Sequence, residues 1–305
     1  MLKLILLGGR MQGLIVENKA NLYKIKVNEK EYIANARGKL KNSNLIPVVG
    51  DIVEFSILEE EKKTGIIEKV EERKTYIKRP KLSNITQIVF VVSSKHPKPD
   101  LLLLDKQLAF AEYLGIKPII VLNKIDLDEE KEFLEIQKRY EKIGYKIIKT
   151  NAKLGIGIEE LMSELKNNIS AFSGNSGVGK STLINGIFNK NITEEGEISL
   201  KNKKGKNTTT DIKLYKIDKN TFIADTPGFS TFDVYEIPYK ELDRYFIEFN
   251  EFIEECKYIG CSHIKEKENE CGIKCRLEEG KIDKLRYNNY IKIFNELKDK
   301  EDHKW

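Results

Sequence analysis

One segment in the middle of the chain combines glycines, a lysine and a hydroxyl in the pattern of a phosphate-binding loop. Residues 174–181 read Gly-Asn-Ser-Gly-Val-Gly-Lys-Ser and match GxxxxGK[ST]. A predicted strand (Ile169–Phe172) precedes them and a predicted helix (Ser181–Phe188) follows, which is the context that the motif requires. Glycines let backbone N–H groups turn toward phosphates, and a helix N-terminus favours negative charge. A chance match in a glycine-rich turn is the alternative, which the flanking strand and helix disfavour.

The loop assigns roles to individual residues. Lys180 is expected to reach the β- and γ-phosphates and to take part in catalysis, and Ser181 is expected to bind Mg²⁺. The predicted phosphate-binding residues are Gly174, Asn175, Ser176, Gly177, Val178, Gly179, Lys180, Ser181 and Thr182.

A second segment predicts which base the nucleotide carries. Asn123, Lys124, Ile125 and Asp126 directly follow the apolar run Ile119–Leu122, where the base-binding loop of an α/β domain belongs. The Asp126 carboxylate can accept hydrogen bonds from N1–H and the exocyclic amine of guanine, and Lys124 is expected to lie along the base. Adenine lacks that donor pair and would leave the carboxylate unpaired, so the loop predicts GTP. A polar turn before a helix is the alternative for the tetrapeptide alone.

Two more segments complete the predicted site. Asp225 and Gly228 follow the apolar strand Thr221–Ala224 and are expected to hold Mg²⁺ through water and to meet the γ-phosphate, respectively. Upstream, Thr209 lies in a run of threonines and is expected to offer Mg²⁺ a hydroxyl when GTP is bound. Both segments are switch candidates because the γ-phosphate orders such loops and hydrolysis releases them.

The order of these segments is unusual. The base loop (123–126) precedes the phosphate loop (174–181), whereas the reverse order is the ordinary one. A site made of loops at the carboxyl ends of parallel strands survives such a change of connectivity, so the sequence predicts a circularly permuted GTPase domain. Phe229 stands where many GTPases carry a water-orienting glutamine. Hydrolysis is therefore expected to be slow without a partner or to depend on another residue.

The cysteines form a second candidate site. All four lie between residues 256 and 275, with a histidine among them. Cys256, Cys261, His263 and Cys271 offer three thiolates and an imidazole, a set that suits tetrahedral zinc. Clustering in a chain without an export signal favours a metal site over disulfides. Buried thiols beside a surface histidine are the alternative, and Cys275 is either spare or a rival to Cys271.

Composition limits the classes of protein to consider. The 305 residues are 40% hydrophobic and 33% charged, as in a globular protein of two or three domains. No apolar run approaches the roughly 20 residues of a membrane span, and the opening residues lack the features of a signal peptide. We expect a cytoplasmic protein without membrane contact. Met1 and Met11 are both candidate translation starts.

Charge is distributed unevenly along the chain. Residues 1–50 carry nine Lys/Arg against three Glu, a net +6, and residues 232–305 carry fourteen Lys/Arg against eighteen Asp/Glu, a net −4. A basic N-terminal region suits a nucleic-acid backbone, and a solvated basic face is the alternative. The cations concerned are Lys24, Lys26, Lys30, Arg37, Lys39 and Lys41.

The elements that must position these residues follow from hydrophobic periodicity. Residues 11–75 alternate short strands with polar turns, which indicates a small barrel of OB or SH3-like type. From residue 85, apolar runs typical of buried parallel strands alternate with helical patterns and predict a doubly wound α/β domain. The last 70 residues are predicted to be helical. The predicted strands are Gln12–Glu17, Leu22–Val27, Tyr32–Ala36, Asp51–Ile57, Gly65–Val70, Gln87–Val92 and Pro118–Leu122, and the predicted helices are Leu101–Leu114, Glu129–Ile143 and Ile158–Asn168.

The permuted order, the N-terminal barrel and the Cys-His-Cys insert together resemble the ribosome small-subunit-dependent GTPase A family over residues 11–298. Two departures stand out: the gap from His263 to Cys271 is longer than usual, and Asn207 stands where the family usually has a histidine, a candidate water positioner. The motifs that carry the resemblance are Ala36–Leu40, Val49–Asp51, Arg79–Pro80, Asn123–Asp126, Gly174–Thr182, Asp225–Phe229 and Arg286–Tyr290.

The resemblance implies three domains: an all-β OB-type RNA-binding barrel at 1–76, an α/β permuted P-loop GTPase domain at 77–232 and an α-helical zinc-binding domain at 233–305. It implies one bound Zn²⁺ and Mg²⁺ bound with GTP. We also expect the protein to be a monomer. Its activity would be hydrolysis of GTP to GDP and phosphate, stimulated by the small (30S) ribosomal subunit during late maturation, with contacts to the rRNA. Asn207 would then be a catalytic residue beside Lys180 and Thr209.

Two other functions stay open on the sequence alone. Phe229 and Asn207 motivate a GTP-gated RNA-binding assembly factor with negligible turnover. A small-molecule kinase would also use a phosphate loop, but the sequence offers no pocket for a phosphate acceptor.

Overall fold

The computed structural model describes residues 10–38, 40, 45–128, 131–191, 212–225 and 236–303. Within that part, the chain divides into two compact units. The first unit takes its residues from 1–89, 152–173 and 179–230, and the second from 90–151, 174–178 and 231–305. The strands are β1 (Arg10–Lys19), β2 (Leu22–Val27), β3 (Lys30–Ala36), β4 (Ile52–Glu59), β5 (Thr64–Val70), β6 (Tyr76–Lys78), β7 (Lys81–Ser83), β8 (Gln87–Ser93), β9 (Lys117–Asn123), β10 (Lys146–Thr150), β11 (Ile169–Ser173), β12 (Lys213–Asp218) and β13 (Thr221–Asp225). The helices are α1 (Leu101–Tyr113), α2 (Glu132–Ile143), α3 (Ile158–Leu165), α4 (Lys180–Asn191), α5 (Gly272–Glu278) and α6 (Lys284–Asp302).

A five-stranded barrel begins the first unit. Its strands are ordered β1-β2-β3-β5-β4, and β1 also pairs with β4, which closes the barrel. Alternate residues of each strand point inward, and Ile25, Val53, Phe55 and Ile67 are completely buried because side chains on a strand alternate between its two faces. The five strands predicted from hydrophobic alternation are all present, and the barrel is of the OB type.

A buried carboxylate at the start of strand β4 bonds to residues that follow the barrel strands in sequence. Asp51 is completely buried. It accepts hydrogen bonds from Ser83 Oγ at 2.6 Å and Arg73 Nε at 2.7 Å. Gly50 has φ +92°, and a Cβ there would lie 2.0 Å from Ser83 O. The Val-Gly-Asp motif therefore packs closely against Ser83 of strand β7.

The first unit also holds half of the α/β architecture. Strands β11 and β13 are parallel, and β12 pairs antiparallel with both β13 and the barrel strand β1. Helix α4 follows β11 and packs against α3, where Gly186 lies next to Ile158. Strand β11 and helix α4 were predicted. Strand β12 was not, because only one of its six residues is buried and its hydrophobic signal is correspondingly weak.

The second unit contains β9, β10 and residues 90–93 of β8. The strand order is β10-β9-β8, β9 and β10 are parallel, and β9 is buried over Ile119–Asn123. Helix α1 begins at a capping residue, since Asp100 Oδ1 accepts from Leu103 N at 3.0 Å. The helical prediction for the last 70 residues is only partly confirmed: residues 239–255 form short 3₁₀ turns, and regular helix is limited to α5 and α6. None of the helices in the described part combines the length and apolar character that a bilayer crossing needs.

Candidate nucleotide site and metal centre

The base loop is fixed to the phosphate loop inside the second unit. Asn123 ends strand β9 and is almost completely buried. Its Nδ2 donates to Val178 O at 2.9 Å, and its Oδ1 accepts from Thr150 Oγ1 at 2.9 Å. The amide of Asn123 thus joins two strand ends and the phosphate loop, which gives it a positioning function within the predicted site.

The other predicted base-loop residues follow in a tight turn. Lys124 has φ +64°, its carbonyl accepts from Ser94 Oγ at 3.3 Å, and its Nζ donates to His96 O at 2.6 Å. Ile125 and Asp126 lie in a short 3₁₀ turn, and Asp126 is exposed. The turn leaves the Asp126 carboxylate accessible to a ligand.

Asn151 is a residue of this site that sequence reasoning missed. It follows strand β10, is nearly buried, and its Nδ2 donates to Asp126 Oδ1 at 2.8 Å. The contact orients the carboxylate that is predicted to read guanine. The rule that sites form at the carboxyl ends of parallel strands would have found Asn151 if strand β10 had been recognised.

The first half of the phosphate loop shows why its glycines are needed. Gly174 has φ +140°, and a Cβ there would lie 2.3 Å from Val91 O of strand β8. Gly177 has φ +82° and is exposed together with Ser176, whereas Asn175 is half-buried and Val178 is buried. The backbone can therefore pass directly over β8 and present its outer residues to solvent.

The second half of the phosphate loop belongs to the first unit. Gly179 has φ +101°, and its carbonyl accepts from Leu183 N at 2.9 Å in the first turn of α4. Burial lowers the pKa of the Lys180 ammonium below its ordinary value. The hydroxyl residues Ser181 and Thr182 are exposed. Asp225 is the last residue of β13 and lies opposite Lys213 of β12 in the antiparallel register.

Several predicted site residues fall outside the described part of the chain. They are Asn207, Thr209, Gly228 and Phe229, together with Lys39 and Lys41 of the predicted basic face.

Three cysteines and one histidine converge in the second unit. The ligand atoms of Cys256, Cys261, His263 and Cys271 all lie within 4.8 Å of one another. His263 and Cys271 are buried, and His263 Nδ1 is 3.4 Å from Cys271 Sγ and 3.6 Å from Cys256 Sγ. Cys275 is exposed and lies outside this group, with its Sγ 3.8 Å from Glu279 Oε1. The geometry therefore selects Cys271 over Cys275, and the donor set fits one zinc ion.

Groups around the cluster support the ligand atoms. Asp243 Oδ2 lies 3.3 Å from His263 Nε2, the nitrogen that faces away from the cysteines, and such carboxylate contacts orient metal-binding imidazoles. Gly272 N donates to Cys256 Sγ at 3.3 Å. A Cβ on Gly272 would lie 2.4 Å from Phe252 O, so this close approach requires glycine.

The ionisable groups of the cluster have pKa values shifted from their ordinary values. Burial alone would lower the pKa of His263, but its hydrogen bonds with Asp243 and Cys271 raise it to about 10. Burial alone would raise the pKa of the Cys271 thiol, but the adjacent His263 lowers it. Burial raises the pKa of the neighbouring Cys261 thiol. A bound divalent cation would favour the deprotonated forms of these groups, so metal binding would release protons.

Helix α6 connects helix α1 with residues 256–271, which contain the cysteine and histidine cluster and are called the metal loop below. Tyr287 OH donates to His263 O at 2.6 Å, and Tyr290 OH donates to Ser262 O at 3.0 Å. From the same helix, Asn289 Nδ2 donates to Asp105 Oδ2 at 2.7 Å. The completely buried Asp105 also accepts from Arg286 Nη1 at 2.6 Å.

Arg286 is the centre of a buried ionic network. Its Nε and Nη2 donate to the two carboxylate oxygens of Glu248 at 2.7 and 2.8 Å, and its guanidinium lies 4.4 Å from the centre of the Phe246 ring. Burial alone would lower the pKa of Arg286, but Asp105 and Glu248 raise it well above its ordinary value. The motif Arg286–Tyr290 thus has a structural role, since it connects helix α1 with the metal loop. The sequence analysis identified the motif but not this role.

A base loop joined to a phosphate loop, in permuted chain order and in a chain that also contains an OB barrel, defines a circularly permuted GTPase. A family model described as RsgA GTPase matches residues 70–235, and one described as RsgA N-terminal domain matches residues 12–67. The chain belongs to the RsgA GTPase family.

Relatives and solved structures match the chain over nearly its whole length. The small ribosomal subunit biogenesis GTPase RsgA of Clostridium botulinum strain Eklund 17B is 41% identical over 296 residues, covering 97% of this chain and 100% of that protein. The protein of the same name from Alkaliphilus metalliredigens is 37% identical, covering 94% and 98%. The crystal structure of YjeQ from Thermotoga maritima has a TM-score of 0.81 at 36% identity, covering 94% and 98%. YloQ, a circularly permuted GTPase, has a TM-score of 0.79 at 28% identity, covering 96% of each chain.

Proposed function

We propose that this chain hydrolyses GTP to GDP and phosphate during late maturation of the small (30S) ribosomal subunit, and that the subunit stimulates hydrolysis. The observation that supports the site most directly is the Asn123 amide, which donates to Val178 O at 2.9 Å and joins the base loop to the phosphate loop. The relatives named as small ribosomal subunit biogenesis GTPases support the step on which the enzyme acts.

The residue roles are part of this proposal. Asp126 reads the guanine edge, Lys124 lies along the base, and residues 174–182 bind the phosphates, with Lys180 at the β- and γ-phosphates. Mg²⁺ is held by Ser181, by Thr209 and, through water, by Asp225, and Gly228 meets the γ-phosphate. Asn207 is the candidate water positioner and acts by hydrogen bonding, since an amide does not serve as a base near neutral pH.

The domain boundaries and the RNA contact belong to the proposal as well. We place boundaries near residues 76 and 232, which the matched ranges 12–67 and 70–235 support. The barrel is proposed to contact rRNA. Its described cations have acidic neighbours, such as Glu17 and Glu31 beside Lys24 and Glu60 beside Lys30. The proposed rRNA contact therefore rests on the surplus of positive charge in residues 1–50 and not on unpaired cations.

Zinc is proposed as a structural ion, one per chain, bound by Cys256, Cys261, His263 and Cys271. It would supply folding free energy to residues 256–271, where the described backbone has only short turns. The protein is proposed to act as a monomer in the cytoplasm, where small subunits mature.

Turnover and sedimentation test the function together. Purified chain is incubated with [γ-³²P]GTP, with and without purified small subunits, and phosphate release is measured under single-turnover conditions. Stimulated release supports the enzyme, whereas GTP-dependent sedimentation with the subunit and no release indicates a GTP-gated binding factor. If the chain neither sediments with the subunit nor releases phosphate, the proposed function is contradicted.

A further inference from the structure

The metal loop has an exposed apolar tip that is not part of the proposed nucleotide site. Residues 257–260 connect the ligands Cys256 and Cys261, and we name them the zinc-loop tip. Ile259 is fully exposed and has the highest exposure among the large hydrophobic residues in the described ranges. Tyr258 beside it is 48% exposed. Two adjacent large side chains of this kind form a candidate contact surface.

The zinc-loop tip is held in place at both ends. Cys261 N donates to Tyr258 O at 3.3 Å, and Lys257 N donates to Glu270 O at 3.0 Å. The Glu270 carboxylate accepts from both Lys257 Nζ at 2.9 Å and Tyr258 OH at 3.1 Å. A loop ordered in this way loses little conformational entropy when it binds a partner, so its exposed side chains can contribute more of their contact energy to affinity.

The net charge of residues 251–271, which include the zinc-loop tip, indicates the kind of partner. Residues 251–271 contain six Glu and three Lys, a net −3. Bound zinc would leave one more negative charge, because three thiolates outnumber the two charges of the ion. The exposed charged residues of the segment are Glu251, Glu254, Glu255 and Glu268 together with Lys257, Lys265 and Lys267.

This negative charge disfavours RNA and favours a basic protein. Phosphates are repelled by an acidic surface, and sequence-independent RNA binding depends on Lys and Arg. We propose that Tyr258 and Ile259 dock into an apolar socket lined by Lys or Arg side chains on a protein of the small subunit. The proposal rests on the proposed function, since it assumes that the chain binds that subunit.

Opposite charges at position 259 provide the test. Ile259→Lys and Ile259→Asp both remove the apolar contact, but only lysine adds repulsion against a basic socket. In equilibrium binding to purified small subunits with a non-hydrolysable GTP analogue, Ile259→Lys should raise Kd roughly tenfold or more and Ile259→Asp by less. Leu134→Asp is the matched control, because Leu134 is an exposed hydrophobic residue of the same unit on helix α2, and it should bind as the parent does.

Because Ile259 is fully exposed, both variants should keep the parent's circular dichroism and zinc content. A benzophenone side chain introduced at position 259 should crosslink to a ribosomal protein, giving a product that resists RNase and is lost on protease treatment. Crosslinking to rRNA, a larger loss for Ile259→Asp than for Ile259→Lys, or unchanged binding by both variants would overturn the docking surface while leaving the proposed function intact. If the parent chain itself fails to bind, the proposed function fails and the docking surface fails with it.

Discussion

At the scale of single residues, one carboxylate is expected to decide which base is bound. Asp126 is exposed, and its Oδ1 accepts from Asn151 Nδ2 at 2.8 Å. Asn151 occupies one oxygen, yet each carboxylate oxygen can accept more than one hydrogen bond, so the group can still receive both guanine donors. The buried Asn151 therefore orients the carboxylate that is proposed to read the base.

Replacing Asp126 with asparagine should change that selectivity. The amide turns one acceptor into a donor, which suits the carbonyl of xanthine and repels the N–H of guanine. We expect Asp126→Asn to weaken GTP binding by roughly ten- to a hundredfold and to admit XTP. Affinities for both nucleotides are measured by fluorescence titration. Asp128→Asn is the control, because Asp128 accepts from Phe133 N at the start of α2; equal effects of the two variants would contradict the assignment.

A single glycine tests the phosphate loop. Gly174→Ala places a Cβ 2.3 Å from Val91 O at φ +140°, which forces the loop away from strand β8. We expect loss of measurable GTP binding and destabilisation of about 1–3 kcal/mol from backbone strain.

Gly155→Ala provides the comparison for Gly174. Gly155 also has a positive φ, +73°, but a Cβ there would meet no atom within 4 Å. It should therefore cost stability without preventing nucleotide binding. Isothermal titration with GDP and thermal unfolding separate the two effects, and intact GDP binding by Gly174→Ala would show that the close approach is dispensable.

At the scale of elements, the proposed zinc ion is expected to stabilise residues 256–271, which have only short turns. Cys271 lies at the N-terminus of helix α5 and Cys275 one turn later, yet only Cys271 points into the cluster. We expect Cys271→Ser to lose zinc and to unfold the loop, and Cys275→Ser to retain one zinc per chain. Elemental analysis of protein purified without chelator gives the content. Retention of zinc by Cys271→Ser would refute the ligand set.

The buried ion pairs of Arg286 on helix α6 lead to a second prediction at this scale. Arg286→Met leaves the buried Asp105 and Glu248 without their cation, which should destabilise the second unit by about 3–5 kcal/mol. Arg276 provides the matched control: it also pairs with two carboxylates, those of Glu255 and Glu279, but at the surface. Arg276→Met should change the urea midpoint little, because exposed ion pairs contribute little to stability. Similar midpoints for the two variants would mean that burial of the network is unimportant.

At the scale of the whole molecule, turnover should depend on the subunit. Asn207 and the basic run at 201–206 lie outside the described residues, so this prediction rests on the sequence. We expect Asn207→Ala to lower GTP turnover at saturating small subunits and Asn207→His to preserve or raise it. Neutralising the lysines at 201, 203, 204 and 206 should lower stimulated turnover and leave GTP affinity nearly intact. Parental turnover by Asn207→Ala would exclude this residue as the water positioner.

The sequence predicted those parts of the molecule whose signals are local. The phosphate loop, the base loop and the barrel strands have fixed spacings or strict alternation, and the structure has strands and helices where they require them. Strand β10 has only five residues, and strand β12 buries only one, so neither has a clear period. The contacts Asn151–Asp126 and Arg286–Asp105 join residues 25 and 181 positions apart. Pairings over such separations leave no periodic trace in the sequence.

Helix α6 also determines where the chain tolerates shortening. Its residues 286–290 contact the metal loop and helix α1, although every proposed nucleotide-binding motif is encoded before residue 230. A premature stop codon between 230 and 286 would therefore leave all of those motifs in the translated product while removing Arg286, the cationic partner of the buried Asp105. Such a product would expose Asp105 and the apolar face of α1, making it a target for proteases and chaperones. An affinity tag fused after residue 303 would leave these contacts in place.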